Sequence, residues 1–138
     1  MTERQFQTEL IRGAKDQGWH VAPIPDAGSQ RFNAPRVYDL VLAKAGKAYA
    51  VECKRRTSKT LRKKDLRPHQ TQNLQEAGEA GLIPLVICYW EHSRATPTGL
   101  KRVYWRYASA IPFESLRRAP GTSVALDWVE RHGVPLER

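Results

Sequence analysis

Two short apolar runs separated by one tight turn constrain this chain more than any other feature. Val37 to Lys44 and Lys47 to Lys54 read as a β-hairpin closed at Ala45-Gly46-Lys47. Side chains alternate across a strand. Glu52 and Lys54 therefore share one face, while Val51 and Cys53 point into a core. Asp39, in the first run, meets them from the neighbouring strand. Two carboxylates and a lysine at one spot can hold a hard divalent cation and a phosphate oxygen together. The plainer reading is a cross-strand charge cluster, in which an exposed pair contributes only ~0.2–1 kcal/mol. Burying three ionisable groups among apolar neighbours is costly without a role, which favours the chemical reading.

The rest of the chain supplies a frame for that hairpin. Thr2 to Gln17 reads as a helix opened by a Thr2/Gln5 capping box, with an apolar stripe of Phe6, Leu10, Ile11 and Ala14, and Gly18 as its stop. Trp19 to Ile24 reads as a short strand, and Pro25 to Pro35 as a loop. Arg55 to Arg67 reads as a basic, mobile loop. Pro68 opens a second helix that runs to about Ala80. Leu82 to Trp90 is almost continuously apolar, the pattern of a central strand buried on both faces. Glu91 to Leu100 reads as a polar loop, Lys101 to Tyr107 as a strand and Pro112 to Arg118 as a helical turn. Ser123 to Leu126 is a candidate strand and Asp127 to His132 a terminal helix. The order α, β, β-hairpin, α, β, β with a small α/β tail predicts one α/β domain over residues 1–138, a mixed central β-sheet flanked by helices.

Composition narrows the function. The chain of 138 residues carries a net charge of +9, which favours a polyanionic partner. No run of about 18 apolar residues is present, so no membrane span is expected. No signal peptide is visible, and a cytoplasmic location follows, at the nucleoid or in a host cytoplasm for a viral protein. Cys53 and Cys88 read as small core residues rather than a disulfide, and lack the spacing of a zinc site. Much of the basic excess is local: Lys54, Arg55, Arg56, Lys59, Arg62, Lys63, Lys64 and Arg67 follow the acidic strand. Alone, such a run is a solvated loop; beside Glu52 and Lys54 it suggests phosphate contact.

Asp39, followed by Glu52-Cys53-Lys54 on the next strand and preceded by the helical acid Glu9, resembles the PD-(D/E)XK nuclease superfamily with its restriction-endonuclease-like core. Within it, the chain is similar to Holliday junction resolvases. The stretch Pro68-His69-Gln70 leading to Gly81-Leu82-Ile83 is similar to the RecU-type pattern, as is Val103-Tyr104-Trp105 with Ile111-Pro112-Phe113. Ala27-Gly28-Ser29 is similar instead to the glycine-serine loop of archaeal-type resolvases. The proline of the superfamily motif is not directly before Asp39; Tyr38 stands there and Pro35 lies further back.

The resemblance implies a metal-dependent endonuclease acting on branched DNA. Asp39, Glu52 and Glu9 would hold Mg²⁺, or Mn²⁺ in its place, with the backbone carbonyl of Cys53 as a further ligand. Lys54 would orient water or neutralise developing charge, and Gln70 would assist from the second helix. For Glu9 the alternative is a solvated helical acid, and for Gln70 an ordinary first-turn polar residue. Ser29, Arg31, Arg55, Arg56, Lys59, Arg62, Lys63, Lys64 and His69 are the DNA-contact candidates; Ser29 is otherwise a turn residue and His69 a capping group. The basic-aromatic run Lys101 to Tyr107 is either a base-stacking surface or core packing with a solvated or dimer-facing edge. Paired cuts across a junction need two sites, hence an expected two-fold homodimer. The competing functions are a repair, mobile-element or restriction-like nuclease on duplex or flapped DNA, and a non-catalytic DNA-binding module.

Overall fold

The hairpin is real and forms the frame of the site. A computed structural model describes residues 1–24 and 37–136, apart from the side chain of Tyr104. Strand β2 (Leu40–Lys44) turns through Ala45 and Gly46, at φ of 53° and 80°, into β3 (Lys47–Arg56). Both turn residues take left-handed backbone, as the tightest hairpins require. Asp39 lies one residue before β2, yet its N–H still donates to Val51 O at 3.0 Å.

Helix α1 (Glu3–Asp16) opens with the expected capping box. Gln5 N donates to Thr2 Oγ1 at 3.1 Å, and Thr2 N donates to Gln5 Oε1 at 2.8 Å. Strand β1 (His20–Pro23) follows. Beyond the hairpin come β4 (Thr60–Arg62), a 3-10 turn (Lys63–Asp65) and α2 (Pro68–Glu79). Strands β5 (Ile83–Ala95) and β6 (Lys101–Pro112) form a long antiparallel pair. Then come α3 (Phe113–Arg118), β7 (Ser123–Ala125), α4 (Leu126–His132) and β8 (Val134–Pro135).

Six strands make one mixed sheet in the order β1-β2-β3-β5-β6-β8, with only the β3–β5 pair parallel. The crossover between those parallel strands contains β4 and α2, as a parallel pair demands. Two cores sandwich the sheet. Phe6, Leu40, Leu42, Val51, Cys53, Ile87 and Tyr89 pack on the α1 side. Ala50, Leu74, Val86, Cys88, Trp90, Ile111 and Leu116 pack on the other. Both cysteines are buried and free. Burial on both faces explains why β5 reads as an unbroken apolar run.

Three expectations need correction. The Arg55–Arg67 stretch is not a loop: β3 continues to Arg56, and Leu61 of β4 is fully buried, paired across to Val124 of β7. The Glu91–Leu100 loop is shorter than expected, because β5 continues to Ala95 against β6. The extra length of strand comes from cross-strand pairing, which propensity does not report. The tail adds β8, which pairs with Ser109 and Ala110 of β6. Ala27-Gly28-Ser29, Arg31 and Pro35 lie outside the described residues. Among the described residues, no helix is long and apolar enough to cross a membrane.

Candidate active site

Asp39 and Glu52 are both buried, at 3% exposure each. Asp39 Oδ2 accepts from Cys53 N–H at 2.7 Å, which pins its carboxylate against β3. Glu52 lies on the other face of β3 from Cys53 and points toward α2. Leu74 and Ala77 of α2 cover that face too. Burial first, and then the Asp39 carboxyl beside it, push the Glu52 carboxyl up to about 8, against the opposing pull of Lys54.

Gln70 joins Glu52 to Lys54. Its Nε2 donates to Glu52 Oε1 at 2.8 Å, and its Oε1 accepts from Lys54 Nζ at 2.9 Å. The same Oε1 accepts from Arg67 N–H at 2.9 Å. Gln70 is the third residue of α2, so this last bond is half of a capping box. With two donors on the oxygen, only the NH₂ end can face the carboxylate, so the network fixes which way the amide points. A helix start has thereby been built into a catalytic-type constellation.

Glu9 is exposed and lines a shallow groove with Met1, Gln5, Thr8 and Arg12. Glu3, also exposed, is a helical acid close enough to act on Glu52, and sequence reasoning missed it. Glu3 Oε2 accepts from Arg55 N–H at 3.2 Å, and its charge adds to those raising Glu52. The signal was available in the helical wheel. At about 100° per residue, Glu3 falls at the centre of the Phe6/Leu10/Ile11/Ala14 stripe and Glu9 about 120° away.

The first turn of α1 is held there by a third buried acid, Glu91. The Met1 ammonium donates to Glu91 Oε1 at 2.8 Å, and the Tyr89 hydroxyl donates to Glu91 Oε2. Arg55 Nε donates to Met1 O at 2.6 Å and its guanidinium lies 4.0 Å from Glu91. Burial alone would raise Glu91. Its bonds to the ammonium and the Tyr89 hydroxyl, with the charges of both cations, hold it below the usual carboxyl range instead.

The basic segment divides by role. Arg56 and Arg62 both reach Asp65, at 3.2 and 2.8 Å. Burial would raise Asp65, but its bonds to Arg62 and the nearby Arg56 lower it. Lys63 donates to Arg117 O at 3.3 Å and to Ala119 O, closing the C-terminal end of α3. These side chains hold the segment together. Lys59, Lys64 and His69 are exposed, and the Lys59 ammonium sits 5.6 Å from the Trp105 ring centre. Trp105 also packs against the core, as one of the two readings of its strand expected.

A divalent cation suits the Asp39/Glu52 pair on chemical grounds. Two buried carboxyls in contact favour a proton or a cation between them. Among the described residues no three His, Cys, Asp or Glu side chains converge as a metal-holding group. Mg²⁺ fits such a site because it is commonly held by one or two carboxylates and keeps water or phosphate oxygens for the rest.

No family model matches the chain, and no curated protein does. Solved structures do. Hjc of Archaeoglobus fulgidus, a Holliday junction resolvase from an archaeal hyperthermophile, is similar with a TM-score of 0.64 and 17% identity, over 96% of this chain and 94% of that one. The likeness shows a shared fold. It lends nothing to the RecU-type side of the resemblance.

Proposed function

We propose that this protein is a metal-dependent DNA endonuclease that resolves four-way junctions by paired symmetric cuts. The observation that carries the reading is the Glu52–Gln70–Lys54 chain beside buried Asp39, on the fold of a known resolvase. Asp39 and Glu52 would hold Mg²⁺, or Mn²⁺ in its place, with the Cys53 carbonyl as an additional ligand. Bound there, the ion would supply charge at the phosphate oxygens and lower the pKa of water. Lys54 places its ammonium where charge develops on the scissile phosphate. Gln70 fixes the Lys54 ammonium and one Glu52 oxygen relative to each other, so neither must reorganise during reaction. Glu3 adds a third carboxylate at the mouth of the site. Two copies, each cutting one strand, act as a two-fold dimer.

The test uses synthetic four-way junctions, each strand end-labelled in turn, beside linear duplex and flap controls. Paired cuts at symmetric positions, dependent on Mg²⁺ and lost in Asp39→Asn, support resolution. Equal cutting of duplex and flap DNA sinks it in favour of a general nuclease. Binding without cutting in Mg²⁺ or Mn²⁺ leaves a DNA-binding module.

A further inference from the structure

We propose that the outer half of the β5–β6 ribbon is a track for the sugar-phosphate backbone of one duplex arm, leading away from the candidate site. The inference rests on the endonuclease reading for its substrate, and on the ribbon alone for its geometry.

A β-bulge creates the track. His92 pairs with Trp105, but Ser93 pairs with Val103, so Tyr104 has no directly opposite partner. In an unbroken strand, alternation would put Arg102 and Trp105 on opposite faces. The bulge shifts the alternation by one residue. Arg102, opposite Arg94, therefore shares a face with Trp105 and His92. Lys59 reaches the same face from the turn after β3.

This face lies on the same side of the sheet as the candidate site, with the Cys88 and Trp90 positions between them buried under Leu61 and Val124. In the parallel register Lys54 lies beside Cys88 and Arg56 beside Trp90. The Trp90 ring lies 5.8 Å from that of Tyr107 at a tilt of 38°, and Trp105 lies two residues before Tyr107, further out on β6. Glu52, Lys54, Arg56, Trp105 and the Arg94/Arg102 pair thus follow one another along one side of the sheet. Residues 92–95 and 101–105 contain no acid, and both arginines are exposed. The opposite side of the ribbon carries Glu91 among cations: Lys101, Arg55 and, directly across from it, exposed Arg106. The side without an acid is the one that suits a polyanion.

The dimensions match a duplex arm. Arg94 lies six residues beyond the Cys88 level of Lys54. At ~3.3 Å per strand residue that is ~20 Å, or about six base pairs at ~3.4 Å per phosphate along one strand. The arm is read by its backbone, so contact here is independent of sequence.

Equilibrium binding in EDTA, with no cutting, tests this separately from the nuclease reading. The probes are a four-way junction with 20-base-pair arms and one with arms trimmed to four. Arg94→Gln/Arg102→Gln is expected to weaken binding to the long-armed junction at least tenfold near 0.15 M salt. The slope of log affinity against log salt should fall by roughly 2, at ~0.9 per phosphate lost. Lys59→Gln, in a turn, should lower the slope by about 1 and guards against misfolding of the double variant. On the trimmed junction, whose arms end short of the Arg94/Arg102 level, the double variant and the wild type should bind alike. Unchanged slopes on the long arms overturn the track, as does an equal effect on both junctions or a slope change confined to single-stranded DNA. Absence of cutting in Mg²⁺ by a chain whose slopes behave as expected would remove the nuclease reading and leave the track standing.

Discussion

Gln70 Nε2 donates to Glu52 Oε1 at 2.8 Å, across the gap between α2 and β3. The bond sets the orientation of a carboxylate that is 3% exposed. Gln70→Ala is expected to slow cleavage ~10–100-fold, the usual cost of losing a group that orients a metal-binding residue. It should also cost about 1–3 kcal/mol in urea unfolding, because Glu52 and Lys54 lose a buried partner. A slower rate with intact stability would mean that α2 relaxes to fill the gap. No change in rate would remove Gln70 from the site.

The raised Glu52 gives a pH signature. In metal-free protein between about pH 4.5 and 8, folded Glu52 keeps a proton that the unfolded chain releases. Stability from this group is therefore full below the unfolded value and is lost as pH rises through about 8, at no more than ~1.4 kcal/mol per pH unit. Glu52→Gln should flatten that slope in denaturant titrations. Added Mg²⁺ should also flatten it, by displacing the proton, and its affinity should climb over the same window.

Glu3 and Glu9 make a paired test of which helical acid belongs to the site. Glu3→Gln is expected to reduce Mg²⁺-dependent cleavage about tenfold or more, in the range of outer-shell losses at metal sites. Glu9→Gln should stay within about twofold. The opposite ranking in single-turnover assays would return Glu9 to the role its position in the sequence first suggested.

Lys63 should behave as a structural lysine. Lys63→Met removes donors to Arg117 O and Ala119 O and should cost ~1 kcal/mol in thermal or urea unfolding. The salt slope of DNA binding should hardly move. Lys64→Met should do the reverse, with little effect on stability and a slope lowered by about 1. Equal effects on the slope would put Lys63 back among the DNA contacts.

How much of this was legible without coordinates differs by element. The hairpin and its Asp39/Glu52/Lys54 set were, because strand alternation and one glycine turn leave little freedom. The α1 capping box and the buried course of β5 were as well, since both rest on local pattern. Glu3 was not singled out, because it lies at the centre of its helix's apolar wheel but in no motif spacing. The destination of the basic segment was not legible: β4 exists because Leu61 finds Val124, some sixty residues away. Nor was the Tyr104 bulge, which only a register between two paired strands can define.

The Asp65 cluster changes what the chain's positive charge means. Asp65 binds Arg56 and Arg62, Lys63 caps α3, and Arg55 ties down Met1. Half of the eight basic residues that follow Glu52 are thus rivets of the scaffold. A charge-to-alanine scan across this stretch would mix loosened architecture with lost affinity, and the two can be sorted only by measuring unfolding beside binding for every variant. Evolutionary drift faces the same coupling: the chain cannot shed these cations without also loosening the wall of its candidate site.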